Sequence, residues 1–356
     1  MPIRAFVSVL AFRGRIAAHW LAMRIHTILV WLLVPMAGWC QDVHVRVSPE
    51  VKTGIEGTTE FPTIQMALDH HLFPGAGGRV LIEIAPGTYH ERLNVTQNHP
   101  HIVLLGMGQS PKDVVITNSL NAKEAGGTFF TETVEVNGTG FEADNVTFEN
   151  SAGNTGQAVA IAVRADRAVF KHCRFLGYQD TLFADYGRQY YVDSYIEGAI
   201  DFIFGNAAAV FDRVEIHATG PGYLTAQSRT SAEQKTGYVI LDSKVTSGPA
   251  VYGNPEGRRS GTLLGRPWRP YARVVFMNTE LPAEVRPEGW NNWGKTANEA
   301  TAWFGEFHDS GPGANPAGRA PWSHQLSAAE ARKFRPEVFL AGSDKWNPVA
   351  EAARLP

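Results

Sequence analysis

The chain has 356 residues and only two cysteines, Cys40 and Cys173. Two thiols cannot build a disulfide scaffold, so the fold must rest on a hydrophobic core. Charge is also sparse: 19% of residues are charged and the formal net charge is −3. The first forty residues hold Arg4, Arg13, Arg15 and Arg24 and no acid, so a chain trimmed there is more acidic still. A surface of that sign has no bulk attraction for nucleic acid or anionic membranes. No Gly-x-Ser-x-Gly elbow is present, which argues against an ordinary serine esterase. A phosphate loop and a His-Glu-x-x-His pattern are likewise missing. The twelve histidines are scattered. His70 and His71 follow a predicted helix, His90, His99 and His101 sit near predicted turns, and His172 and His217 fall in predicted strands. They read as surface histidines, not as metal ligands or triad members.

Long hydrophobic runs are absent too. The apolar stretch from Ile28 to Ala37 is too short to span a bilayer comfortably. It follows a basic start at Met23-Arg24 and leads to small residues before Cys40, the layout of an export signal. Residues 1–22 are therefore expected to be an upstream extension, 23–40 a signal, and 41–356 a single domain, with cleavage near Cys40. A retained anchor and a lipid-modified Cys40 are the alternatives, and the bulky Trp39 argues against lipidation. The mature chain is expected to be secreted or periplasmic and not membrane-bound.

What the chain does have is glycine, proline and short β-branched runs: 35 Gly and 21 Pro among 356 residues. Residues 61–71 read as one short amphipathic helix. Val80-Leu-Ile-Glu-Ile84, Ile102-Val-Leu-Leu105 and Val114-Val-Ile116 read as strands bounded by turn residues. A weak repeat follows, in which a short polar residue starts an alternating unit that ends on an apolar one. Its members are Asn145-Val-Thr-Phe148, His172-Cys-Arg-Phe175, Asp193-Ser-Tyr-Ile196, Arg213-Val-Glu-Ile216, Asp242-Ser-Lys-Val245 and Asn278-Thr-Glu-Leu281. Their last positions are 27, 21, 20, 29 and 36 residues apart. Short strands with that period and no intervening helices predict an all-β, right-handed parallel β-helix with short helices and long loops packed on it. A β-sandwich is the rival, but the tight two-residue turns it needs are scarce. After Leu281 the repeat fades. The tail is expected to be loops and helices, with Ser327 capping one helix and Glu330 completing a capping box.

A coil of that period stacks residues one winding apart, about 4.8 Å from each other. Asp180 and Asp201 are 21 residues apart, and Gln157 and Gln179 are 22 apart. All four then fall on three consecutive windings. A polar ladder that satisfies only itself is the bland alternative. The chemistry favours a site: two close carboxylates couple, so one holds its proton while the other stays ionised. Neutral amides beside them can donate hydrogen bonds to a developing oxyanion. Arg266, in Leu264-Gly-Arg-Pro-Trp268, can hold one acid ionised through a bidentate pair. Trp268 offers a flat apolar face suited to a sugar ring.

These stretches resemble the pectinesterases, secreted carbohydrate esterases built on a right-handed parallel β-helix. The resemblance runs from Val43 to about Trp346. It rests on Gly156-Gln-Ala-Val-Ala160, Gly177-Tyr-Gln-Asp-Thr-Leu182, Asp201-Phe-Ile-Phe-Gly-Asn-Ala207, Leu224-Thr-Ala-Gln-Ser-Arg-Thr230, Leu264-Gly-Arg-Pro-Trp268 and Arg286-Pro-Glu-Gly-Trp290 in that order. It implies hydrolysis of galacturonate methyl esters in pectin. Asp201 would be the nucleophile, Asp180 the general acid and base, Gln157 and Gln179 the oxyanion donors, and Arg266 the partner of Asp201. It also implies that Trp268, Phe202, Tyr178 and Thr128 line the substrate groove. No metal and no organic cofactor are implied, and a monomer acting on pectin is expected. Cys173 departs from the plant members, because Asp193 stands where they place a second cysteine. A glycoside hydrolase using the same two acids, or a non-catalytic polysaccharide-binding coil, are the competing readings.

Overall fold

The computed structural model describes residues 42–51, 59–70, 77–248 and 261–356. The expected export signal lies outside them. The described residues belong to one compact unit, Cys40–Pro356.

Every strand pairing among the described residues is parallel, which requires a crossover between each pair of neighbours. One twelve-stranded sheet runs from Glu60–Phe61 and Val43–Val47 through Ala168–Lys171, Arg188–Val192 and Ala208–Asp212 to Trp303–Phe307 and His324–Gln325. The second sheet path has two arms. One carries Val114–Asn118, Thr147–Asn150 and Arg174–Leu176, and the other Val134–Val136, Ile161–Val163 and Leu182–Ala184. The long strands Tyr195–Gly205 and Glu215–Gln227 pass through both arms and join them. The chain therefore winds through three faces, as a right-handed parallel β-helix does.

The sequence repeat marks one corner of this coil. Asn145, His172, Asp193, Arg213, Asp242 and Asn278 each have φ between 47° and 60°, in the left-handed region. Each of the first five sits between a strand of the first sheet and the next strand of the second, and Asn278 lies between Arg273–Met277 and the bridge of Glu280 to Lys244. Such a residue turns the chain sharply, and short polar side chains tolerate that conformation best. The apolar residue that ends each repeat points inward. Phe148 stacks on Phe175 at 5.6 Å, and Phe170, Tyr191 and Phe211 stack at 4.9 and 4.7 Å. Each such pair adds about 0.5–1.5 kcal/mol beyond its buried area.

The tail differs from expectation. The coil does not stop at Leu281: Trp303–Phe307 pairs with Arg273–Met277, and His308 repeats the left-handed corner at φ 55°. Glycine and tryptophan in this stretch hid the alternation. The expected Ser327–Glu330 capping box is present on Ala328–Ala331, and the helix expected over 61–71 is shorter, Ile64–Asp69, because Thr63 caps its start. Residues after Leu326 then return over the outer face of the first sheet. Phe334, Leu340, Trp346 and Leu355 cover Val169, Tyr190, Val210 and Val239 there.

Candidate active site

Where the two arms join, strand register brings the expected residues together. Gln157 pairs with Gln179, and Gln179 pairs with Ile200. The Asp180 amide donates to the Ile200 carbonyl at 3.1 Å. Beyond the acids, Leu182 pairs with Ile203 and Phe183 with Phe204. The same offset sets Asp180 beside Asp201. Both acids are in the left-handed region, with φ of 63° and 51°.

Asp201 is 6% exposed. The Arg266 guanidinium meets it side-on, Nε to Oδ1 at 2.8 Å and Nη2 to Oδ2 at 2.5 Å. Arg266 is itself held between two rings: its guanidinium carbon is 3.7 Å from the Trp293 ring centre and 3.9 Å from that of Tyr223. Burial raises the Asp201 pKa, and the Arg266 hydrogen bonds and charge oppose that rise. Asp180 has no such partner among the described residues. Burial first, and the neighbouring Asp201 second, push it up to about 8. The two acids are therefore unequal. Asp201 is the one that ionises first, and Asp180 holds a proton at neutral pH.

An aromatic platform flanks the acids. Phe183 stacks on Phe204 at 4.6 Å, Phe129 packs on Phe183 at 4.9 Å, and Trp268 lies 5.8 Å from Phe204 and 6.4 Å from Phe129. Phe129 is 44% exposed, so this platform faces solvent. Trp268 is half-buried at the edge of this platform. Tyr178 is half-buried beside the acids, its hydroxyl 3.0 Å from the place a Cβ on Gly220 would take. Thr128 begins the 3-10 turn Thr128–Phe130, and the ring contacts there come from Phe129.

Phe202 is a correction. It is fully buried in the interior of the coil and cannot line a groove. The left-handed turn at Asp201 resets the alternation, so Phe202 and Ile203 both point inward and Phe204 points out. The sequence carried a signal for this: Asp180-Thr-Leu-Phe183 and Asp201-Phe-Ile-Phe204 place a phenylalanine at the same distance after each acid. Phe183, Phe204, Phe129, Tyr223 and Trp293 were all missed. Among the described residues no group of three or more His, Cys, Asp or Glu side chains is arranged to hold a metal ion. Cys173 is buried and free.

Known proteins share much of this sequence and this fold. The pectinesterase family model matches residues 50–343. Pectinesterase 31 of Arabidopsis thaliana is 41% identical over 82% of this chain and 92% of its own length. A pectinesterase of Daucus carota is 36% identical over 83% of this chain and 94% of its own. Among solved structures, the pectin methylesterase from carrot superposes with a TM-score of 0.76 at 33% identity, covering 86% of this chain and 95% of that one. Pectin methylesterase PemA from Erwinia chrysanthemi gives 0.68 at 27% identity, covering 86% and 99%.

Proposed function

The chain belongs to the pectinesterase family, and from that premise we propose how its own residues remove methyl esters from pectin. The carrying observation is the inequality of the two acids: Asp201 is clamped by Arg266, while Asp180 is half-buried and has no ion pair among the described residues. An enzyme that needs one carboxylate and one carboxylic acid at the same pH needs such a pair.

The Asp201 carboxylate attacks the carbonyl carbon of a galacturonate methyl ester. The oxyanion that forms accepts hydrogen bonds from the side-chain amides of Gln157 and Gln179, which add no competing charge. Collapse breaks the bond to the methoxy oxygen, which takes the Asp180 proton and leaves as methanol. An anhydride between Asp201 and the sugar carboxyl remains. Asp180, now ionised, takes a proton from water, and the hydroxide attacks the sugar carbonyl. The second oxyanion uses the same amides. Its collapse frees the galacturonate and returns Asp201 as a carboxylate held by Arg266. The aromatic platform of Phe183, Phe204, Phe129 and Trp268 supplies the apolar face on which sugar rings and methyl esters rest. Members of this family have been crystallised with hexasaccharides, which supports a polymer lying across the site. No helix among the described residues is long and apolar enough to cross a membrane. Residues 23–40 are proposed as an export signal that delivers a monomeric enzyme to pectin outside the cell.

Methanol release from methylated pectin tests the roles. Asp201→Asn and Asp180→Asn should each lower kcat by roughly a thousandfold or more with circular dichroism unchanged. Near-full activity in either variant rejects the assignment. New reducing ends in place of methanol would instead favour glycoside hydrolysis.

A further inference from the structure

The two amides assigned to the oxyanion are not held alike. Gln179 is bridged on both sides, by Gln157 on one winding and by Ile200 on the next. Among the described residues Gln157 has such a ladder contact on one side only. On its other side the strand of the preceding winding, Val134–Val136, begins opposite Ile161. The turn that leads into Gln157 offers no wall either, since Ser151, Gly153, Asn154 and Thr155 are exposed.

Side chains take over where the ladder stops. Asn150 ends the strand Thr147–Asn150 and is 2% exposed. It has the parity of Phe148, so its carboxamide points into the coil. Its Nδ2 donates to the carbonyls of Leu120, Thr131 and Val159 at 3.0, 3.1 and 3.2 Å. Its Oδ1 accepts from the Ala152 amide at 3.1 Å. Every donor and acceptor of this buried amide is therefore in use. Thr131, fully buried, completes the grip. Its hydroxyl accepts from the Val159 amide at 3.0 Å and donates to the Thr128 carbonyl at 2.7 Å. Both backbone polar groups of Val159, close after Gln157, are thus bonded to this pair. The Gln157 carbonyl accepts from the Ala122 amide at 2.8 Å. Ala122 starts the helix Ala122–Ala125, which lies between Leu120 and Thr131. One carboxamide therefore pins both ends of that segment and the backbone that presents Gln157.

A donor to an oxyanion works only where it is preorganised, and misplacing a group by about 1 Å costs roughly a hundredfold in rate. We propose that Asn150, assisted by Thr131, is the positioning residue for Gln157 and fixes the oxyanion amide where the sheet does not reach. This rests on the esterase reading above.

The test measures methanol release from methylated pectin for Asn150→Ala, Thr131→Val and Gln157→Ala, and for each of the first two combined with Gln157→Ala. Gln157→Ala should lower kcat roughly a hundredfold. Asn150→Ala should lower kcat roughly ten- to a hundredfold with KM within about twofold of wild type. Thr131→Val, which keeps the shape and loses the hydroxyl, should lower kcat roughly three- to tenfold. In the Gln157→Ala background each should cost less than about a further twofold, because no amide is left to misplace. A role in packing alone would cost the same factor with and without Gln157. That additivity, a rise in KM at unchanged kcat, or a near-wild-type kcat in Asn150→Ala or in Gln157→Ala would overturn the proposal. Circular dichroism checks the fold, and if Asn150→Ala does not fold, Thr131→Val decides by the same criterion. If the wild-type enzyme releases no methanol, the esterase reading fails and this inference with it. Additive losses in an active enzyme remove this inference alone.

Discussion

At the scale of single residues, the chemistry depends on how Arg266 is held. A bidentate pair to Asp201 keeps its geometry only if the guanidinium cannot swing, and the faces of Trp293 and Tyr223 close on it from both sides at 3.7 and 3.9 Å. Trp293 reaches that position through a left-handed backbone at φ 61° and an amide bonded to the Asn291 side chain at 2.7 Å. Trp293→Ala should therefore lower kcat by roughly ten- to a hundredfold with a smaller effect on KM, while Trp293→Phe recovers most of the loss. Steady-state kinetics of the two variants decide this, and an equal effect of both would show that Trp293 acts only through packing. None of this clamp was visible beforehand. Trp293 lies 27 residues from Arg266, outside any motif, and only folding brings the ring to the guanidinium.

At the scale of the strand, the instructive pair is Phe202 and Phe204, two residues apart in Tyr195–Gly205. Phe202 lies in the interior of the coil, and Phe204 forms the platform. Removing each ring should fail in a different way. Phe202→Ala should cost about 3–5 kcal/mol of stability, the range for a buried phenylalanine. Phe204→Ala should raise KM for pectin several-fold with a much smaller loss of stability. Chemical denaturation and kinetics on both variants check this. Gly205, which ends the strand, has φ 119°, and a Cβ there would come within 2.3 Å of the Ala184 carbonyl oxygen, so the turn that follows admits only glycine. The sequence repeat placed Asp193–Ile196 at the start of this strand, and the resemblance put Phe202 in the groove; the left-handed residue at Asp201 breaks the rule of two and turns Phe202 inward.

At the scale of the whole molecule, partial or full burial holds several acids above the usual carboxylate range, and that sets how stability follows pH. Burial pushes Asp180 and Asp309 up to about 8. Burial, then the nearby Glu351, push Glu142 to about 7 against the opposing charge of Arg79. Each folded pKa lies above its unfolded value, so between about pH 4 and 8 the native state binds protons that the unfolded chain has released, and stability falls as pH rises. The thermal midpoint should drop between pH 5 and pH 8.5, and Asp180→Asn should flatten that slope. A midpoint that rises over this range would contradict the burial of these acids. The sequence by itself determined the coil and the meeting of Gln157, Gln179, Asp180 and Asp201, because a repeat of nearly constant length converts spacing along the chain into neighbours across windings. Only the tertiary structure decided which rings face the groove, what grips Arg266, that the coil continues past Leu281 and that the tail covers the first sheet. Those contacts join segments whose separations follow no period, and a left-handed backbone angle at a single residue is enough to change which way the following side chains point.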